Sequence, residues 1–493
     1  MPEQIRALIV ILVLAAGFFL FSHHSACAIV DRKHFTRRRN LWFILTISAF
    51  LANSFWIYIL FAIPLIIYAK RSEPNPPALY FFLLFVLPMA TIQIPGGGLI
   101  NYFFALSHAR VLSLFILLPA FLTLLRQDDT IPFGYTKPDK VIAASLLLTA
   151  LLYLRETTLT DTLRQAFYLF LDVFLPYFVI SRSLKNLPDF RDSLLSLVMA
   201  IMVLAPLAIF ESYKHWLLYS AVTHTLKLEE GMTGYMGRGG ILRAITAVGQ
   251  PIALGYLMVV GMGLYLFLQR YIQKKLIRWL GIALLVAGLL VPVSRGPWIG
   301  AAVLIIVFVA TGRYAIRRLL ILALTTMLVL PVVSALPGGD KMINMLPFIG
   351  TTNTENVNYR EKLITNSMIV LQRNPWFGSV DFLNTPEMQS MRQGEGIIDI
   401  VNTYIGIALE QGYIGLGLFS AFFALTLLDI YRAIHSIPDK DSEEHLLGRA
   451  LLSTLIAILI IIFTVSSISI IPIVYWSFAG LGIAYAQMVR RKY

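Results

Sequence analysis

Apolar runs of roughly 17–25 residues recur along this chain, each long enough to cross a bilayer as a helix. In lipid every backbone polar group must be bonded within its own element, which leaves helices or closed barrels, and runs this long are helices. They fall at 6–30, 78–94, 104–125, 140–154, 163–182, 190–212, 247–268, 276–292, 297–311, 316–335, 402–430, 447–466 and 469–488. Residues 41–68 are read as two short helices broken near Asn53-Ser54. Basic residues stand on both flanks, Arg37-Arg38-Arg39 before and Lys70-Arg71 after, so the segment enters and leaves on one side. The reading is all-α: a polytopic integral membrane protein of about 13–15 transmembrane helices with a large helical loop on the non-cytoplasmic side. With 58% hydrophobic and 14% charged residues, the chain is far from the quarter-charged composition of a soluble domain.

The formal charge of +13 invites a nucleic-acid partner, but its placement argues against one. Lys and Arg sit in short turns between apolar runs, at 126–140, 182–191, 270–278, 313–318 and 490–492, all on one side, the cytoplasmic side by the positive-inside rule. The single Cys27 excludes a disulfide framework, a cysteine zinc site and an iron–sulfur cluster. The first run lacks small-residue cleavage signals and is followed by Asp31 and a basic cluster, so it reads as a retained span.

Between 337 and 399 the chain turns polar for far longer than a helix connection needs. This interval holds a helix-like segment at 355–372 and the turn Asn374-Pro375-Trp376-Phe377-Gly378, and closes on Asp399-Ile400-Val401-Asn402-Thr403-Tyr404. It lies opposite the basic turns, together with 214–246 and Ser294-Arg295-Gly296, so three separated segments converge on the outer face. The division that follows is 1–239 as N-terminal transmembrane helices and 240–493 as a core carrying the loop 337–399.

Outer loops are normally depleted in positive charge, so Arg238, Arg243, Arg295, Arg360, Arg373 and Arg392 call for a reason. Guanidinium groups grip phosphate with two parallel bonds and keep their charge, and a lipid-linked pyrophosphate would supply that reason. The ordinary alternative is snorkelling, or ion pairing to Asp340, Glu361 or Glu395. Arg243 and Arg295, set in Gly and Pro turn chemistry, favour the functional reading. The Asn374–Gly378 turn reads mainly as a helix stop, and Trp298 and Trp376 as interfacial belt residues or sugar-stacking platforms. Asp399 and Glu395 are the carboxylates nearest the arginines and are candidate general bases. Asn402 either caps a helix or binds a sugar hydroxyl, while Glu410 lies two turns below it. Asp172, in mid-span, is read as a structural partner of Arg164 or of a tyrosine, with a proton path as the alternative. Glu211 stands near the outer end of its span, where it could meet a substrate.

Three stretches then resemble the O-antigen ligase and Wzy-type polymerase superfamily. They are Arg243 with Gly249-Gln250-Pro251; Ser294-Arg295-Gly296-Pro297-Trp298-Ile299-Gly300; and Arg360 with Asn374–Gly378, Val401-Asn402-Thr403-Tyr404 and Glu410-Gln411-Gly412-Tyr413-Ile414-Gly415. The resemblance is specific over 240–420 and extends to the N-terminal half in layout only. It implies a metal-independent, inverting membrane glycosyltransferase of the GT-C type, without a cofactor, acting on an undecaprenyl-diphosphate-linked glycan at the periplasmic side of the bacterial inner membrane. On that resemblance Arg243, Arg295 and Arg360 bind the donor diphosphate or line its path; Gln250, Ser294, Asn402, Glu211 and Trp298 are further candidate substrate contacts. Membrane lipids, a chain-length regulator and export proteins are further partners it implies. Lipid A-core ligases keep a His where this chain has Val401, and valine takes no proton. The base role then falls to Asp399 or Glu395, and the reading moves towards a polymerase of an exopolysaccharide or O-antigen repeat unit. A ligase and a lipid-linked oligosaccharide flippase are the alternatives.

Overall fold

The computed structural model of the protein describes residues 1–98, 101–228, 234–238, 240–335, 354–392 and 396–493. Among these, six helices are long and apolar enough to cross a membrane: Glu3–Cys27, Leu159–Ser183, Leu187–Lys214, Pro251–Tyr271, Thr403–Ser436 and Glu443–Ile462. His108–Leu124 and Arg295–Ala310 are shorter apolar helices. The protein is thus a helical, multi-pass membrane protein. Helices apolar on every side belong at the centre of a bundle. Pro251–Leu268, Glu443–Ile462 and Ile471–Lys492 are accordingly buried along most of their length, whereas Glu3–Cys27 and Thr403–Ser436 keep broad apolar faces outward.

The segment 41–68 is the expected hairpin. Arg32–Leu51 stops at the extended Ala52, and Phe55–Arg71 starts on Ser54, whose hydroxyl accepts from the Trp56 amide. The run 78–94 departs from expectation. Its helix, Pro76–Leu83, is short, and the chain then forms the strand Thr91–Pro95, paired antiparallel with Tyr102–Ser107. The alternation Thr91-Ile92-Gln93-Ile94 has the two-residue period of a strand, and Pro88 and Pro95-Gly96-Gly97-Gly98 interrupt any helix across it. The next span consequently starts at His108 rather than at 104.

Ion pairs gather at the end of the bundle that carries the basic turns. Arg38, 2% exposed, donates to Glu73 at 2.5 and 3.1 Å and to both oxygens of Asp192 at 2.5 and 2.8 Å. Arg182 pairs with the buried Asp139 at 2.7 Å, and Arg191 with Glu443. Breaking a buried pair leaves a charge with no partner, which costs about 3–5 kcal/mol. Arg38→Leu is therefore expected to lower the thermal unfolding midpoint of the detergent-solubilised protein clearly. A midpoint equal to wild type would show that the triad is not holding the Arg32–Leu51 helix to the Leu187–Met202 helix.

Candidate functional site

At the opposite end, backbone turns carry the arginines. The carboxylate of Glu211, fully buried at the end of Leu187–Lys214, accepts from the amides of Leu218 at 3.0 Å, Ile245 at 3.0 Å and Thr246 at 2.9 Å. This fastens the strand pair Gly237–Arg238 and Ile241–Leu242, with the residues after it, to the helix end. Arg243 emerges from that anchored segment. Its Nε donates to the Pro292 carbonyl at 3.0 Å, and a terminal nitrogen donates to the Ser294 hydroxyl at 2.9 Å. Arg238 donates to the Val293 carbonyl at 3.0 Å. Thr246 and Val293 both hold φ of 47°, a conformation that costs a β-branched residue about 1–3 kcal/mol and tends to cluster where geometry serves function. Ser294 and Glu211 thus position Arg243; they touch its supports rather than an open surface. Trp298 is similarly occupied, its ring nitrogen donating to the Leu289 carbonyl at 3.1 Å.

Arg360 comes from the helix Thr354–Arg373 and reaches the Thr464 carbonyl at 3.4 Å. Its neighbour Tyr359 donates to the Asp399 carbonyl at 2.9 Å and accepts from the Asp399 amide at 3.2 Å. Asp399 Oδ1 accepts from Ser466 at 2.5 Å. Asn402 caps Thr403–Ser436 by accepting from the amides of Tyr404 and Ile405, so its carbonyl oxygen is taken up by the helix start. Thr403 donates to Val465 at 2.8 Å, and Ser469 to Val248 at 3.3 Å. The turn 463–470 between the last two spans is therefore a fourth segment at this face, which the sequence reading missed. Its signal is the polar run Ser466-Ser467 and Ser469 inside apolar sequence.

Positive charge is concentrated here. Burial, then Arg295 and Arg360, lowers the pKa of Arg238. Burial and then Arg238 push Arg243 down to about 10. Burial likewise lowers Arg360, while Asp399 opposes and Arg295 reinforces the shift. Among the described residues, none of Arg238, Arg243 and Arg360 has a carboxylate within ion-pair distance, unlike Arg373, which pairs with Glu387, and Arg392, held by Gln389 and the Gly396 carbonyl. Guanidinium groups gathered this closely favour an incoming anion. Glu395 and Asp340 lie outside the described residues.

The turn Asn374–Gly378 does more than stop a helix. Thr403–Ser436 breaks at Gly412, which holds φ 66° and ψ −168°, and the turn fills the break. The Leu409 carbonyl accepts from the Ser379 amide at 2.9 Å, while the amides of Tyr413 and Ile414 donate to the carbonyls of Pro375 and Trp376 at 2.8 and 3.2 Å. The groups orphaned by the break thus find partners in the loop. Contact is so close that a Cβ at Gly412 would lie 2.3 Å from the Trp376 carbonyl, and one at Gly378 would lie 2.4 Å from the Leu409 carbonyl. From the far side the helix Lys137–Glu156 clamps the turn: Arg155 donates to the Gly378 carbonyl at 2.9 Å, and Glu156 accepts from the Ser379 hydroxyl and the Val380 amide at 2.7 Å. Val401 packs with Ile400 against a small apolar cluster containing Leu363, Val370 and Met388, which seats the loop on the bundle.

Beneath these elements lies a cavity of about 850 Å³. Arg243, Gln250, Asp399 and Asn402 line one part, and Arg110, Gln165, Asp172, Glu410 and Gln411 another. Gln250 stands at the start of Pro251–Leu268 but makes no capping bond to it. Asp172 pairs with Arg110 at 2.8 Å, not with Arg164, which instead holds Asp161 and the carbonyls of Tyr102 and Phe103. The β-hairpin places Arg110 there, since the arginine also donates to the Ala105 carbonyl at 2.6 Å.

The fold and this face define a multi-pass membrane protein with a chamber lined by two arginines and three carboxylates under a clamped loop. Residues 280–420 match the family model for O-antigen ligase, Wzy_C, so this segment is similar to that family. The match takes in Arg295, Arg360, Asp399, Asn402 and the Gly412 break, and leaves Arg243 and the 110–172 wall of the cavity outside. No curated protein matches the chain.

Proposed function

We propose that the protein is a polymerase that joins undecaprenyl-diphosphate-linked oligosaccharide repeat units into an exopolysaccharide or O-antigen, at the periplasmic face of the bacterial inner membrane. The observation that carries the reading is Arg243, which lines the cavity, with Arg238 and Arg360 close by on the same face, each bonded to neutral acceptors. A diphosphate is the anion that suits such a cradle, because its oxygens accept paired N–H donors and its charge grows as it leaves. In the transfer, an acceptor hydroxyl oxygen bonds to the anomeric carbon as the bond from that carbon to the diphosphate oxygen breaks. The electron pair goes to the diphosphate, which the arginines neutralise, and the hydroxyl proton goes to Asp399, with inversion at the carbon. Ser466, donating to Asp399, and Tyr359, bridging its backbone, hold that carboxylate at the cavity wall.

Asp399→Asn keeps the shape and removes the proton acceptor, and is expected to cut transfer by about 100-fold or more. Chain output near wild type would remove Asp399 from the mechanism. The matched family's own description favours the ligase as the second reading, in which a finished polymer is passed to an acceptor such as lipid A-core. The composition of lipid-linked glycans in a deletion strain separates the two. Single repeat units in the periplasmic leaflet support the polymerase, and long lipid-linked chains support the ligase. Repeat units held on the cytoplasmic leaflet would remove both and leave a flippase.

A further inference from the structure

The cavity has two chemically different walls, and the diphosphate accounts for one of them. On the other, Glu410 accepts from the Tyr153 hydroxyl at 3.1 Å, its one hydrogen-bond donor among the described residues, with the rest of its carboxylate left to the chamber. Eight residues along the helix from the Asn402 cap, it sits about 12 Å deeper into the bundle at a 1.5 Å rise per residue. The break at Gly412 ends that half-helix at Gln411, which turns this corner of the chamber polar within a span. Asp172 faces the same space from a π-turn at Phe170–Phe174, a local widening that recurs at functional sites. Its carboxylate is fixed by Arg110, whose guanidinium lies 3.7 Å over the Tyr168 ring. Gln165 and Ser145 complete the wall.

Such a wall suits no second anion, since Arg110 is already taken by Asp172 and the Glu410 carboxylate would repel one. Fixed carboxylates, amides and a hydroxyl beside aromatic rings instead match a hydroxyl-rich ligand, with carboxylates accepting and amides both donating and accepting. Inversion supplies the direction: the attacking hydroxyl approaches the anomeric carbon from the side opposite the leaving diphosphate. With the diphosphate at Arg243, the acceptor comes from the other wall. We infer that the wall formed by Glu410, Gln411, Gln165 and the Arg110–Asp172 pair is the subsite for the sugars of the acceptor glycan, an inference resting on the inverting transfer proposed above.

Two probes separate this inference from the reading it rests on. The first is the free oligosaccharide released by mild acid from the lipid-linked glycan of a deletion strain, which carries acceptor hydroxyls and no diphosphate. The second is bare undecaprenyl diphosphate. Binding of each to the full-length protein in nanodiscs is measured for wild type, Glu410→Gln, Ser145→Leu and Arg243→Ala. Ser145→Leu narrows the wall without taking a bond from Glu410, and so serves if Glu410→Gln fails to fold. The expected result is that both wall variants raise the dissociation constant of the oligosaccharide at least about tenfold, equivalent to 1.4 kcal/mol, and leave that of the bare carrier within about twofold. Arg243→Ala should do the reverse. Unchanged oligosaccharide binding in both wall variants overturns the subsite, as does an oligosaccharide that depends on Arg243 as strongly as on Glu410. Carrier binding indifferent to Arg243 overturns the diphosphate reading instead.

Discussion

Arg243→Ala is expected to lower glycan transfer by about 100- to 1,000-fold, the range for removing one preorganised donor from a developing oxyanion. The half-buried arginine is held against the Pro292 carbonyl and the Ser294 hydroxyl, so its fork is set before any ligand arrives. Arg243→Lys tests that geometry: one ammonium keeps the charge but cannot reach both supports and still offer paired donors. It should recover little of the lost transfer. Full activity in the lysine variant would show that a point charge suffices and that bidentate recognition is wrong. Protein level and thermal midpoint, read in parallel, separate loss of chemistry from loss of fold.

The second large effect is expected at the broken span. Gly412→Ala meets two costs together, a backbone conformation reserved for glycine at about 1–3 kcal/mol and a clash of backbone with backbone at about 1–3 kcal/mol more. No side-chain rotation relieves either, so the turn Asn374–Gly378 must leave its seat. Transfer should fall to background, and limited proteolysis should cut the segment 374–392, which stays intact in wild type. Gly378→Ala, at φ 60° and against the Leu409 carbonyl, should give the same cleavage pattern. An active, protease-resistant Gly412→Ala would show that loop and span are not locked through these glycines.

Much of this arrangement could be read from residues one stretch at a time. Apolar runs mark helices because lipid leaves the backbone no alternative, and the arginines stand out because outer loops seldom keep them. Features resting on distant partners could not be read that way. Asp172 announces a buried carboxylate, but its partner, Arg110, is placed by a β-hairpin hidden inside an apolar run. Glu211 reads as a substrate contact from its depth, yet its lone pairs are taken by three backbone amides. Asn374–Gly378 and Glu410–Gly415 are each visible as motifs; that one fills the break in the other is a fact of contact, not of spacing.

The clamp on the loop also bears on how the molecule is made. Arg155 and Glu156 leave the ribosome 223 residues before the groups they hold, Gly378 and Ser379. Asp399 then waits for Ser466, 67 residues further on. More than two hundred residues thus separate the clamp from the roof it holds, and the carboxylate is steadied only when the turn 463–470 is in place. A half-built chain therefore lacks both the seated loop and the steadied carboxylate.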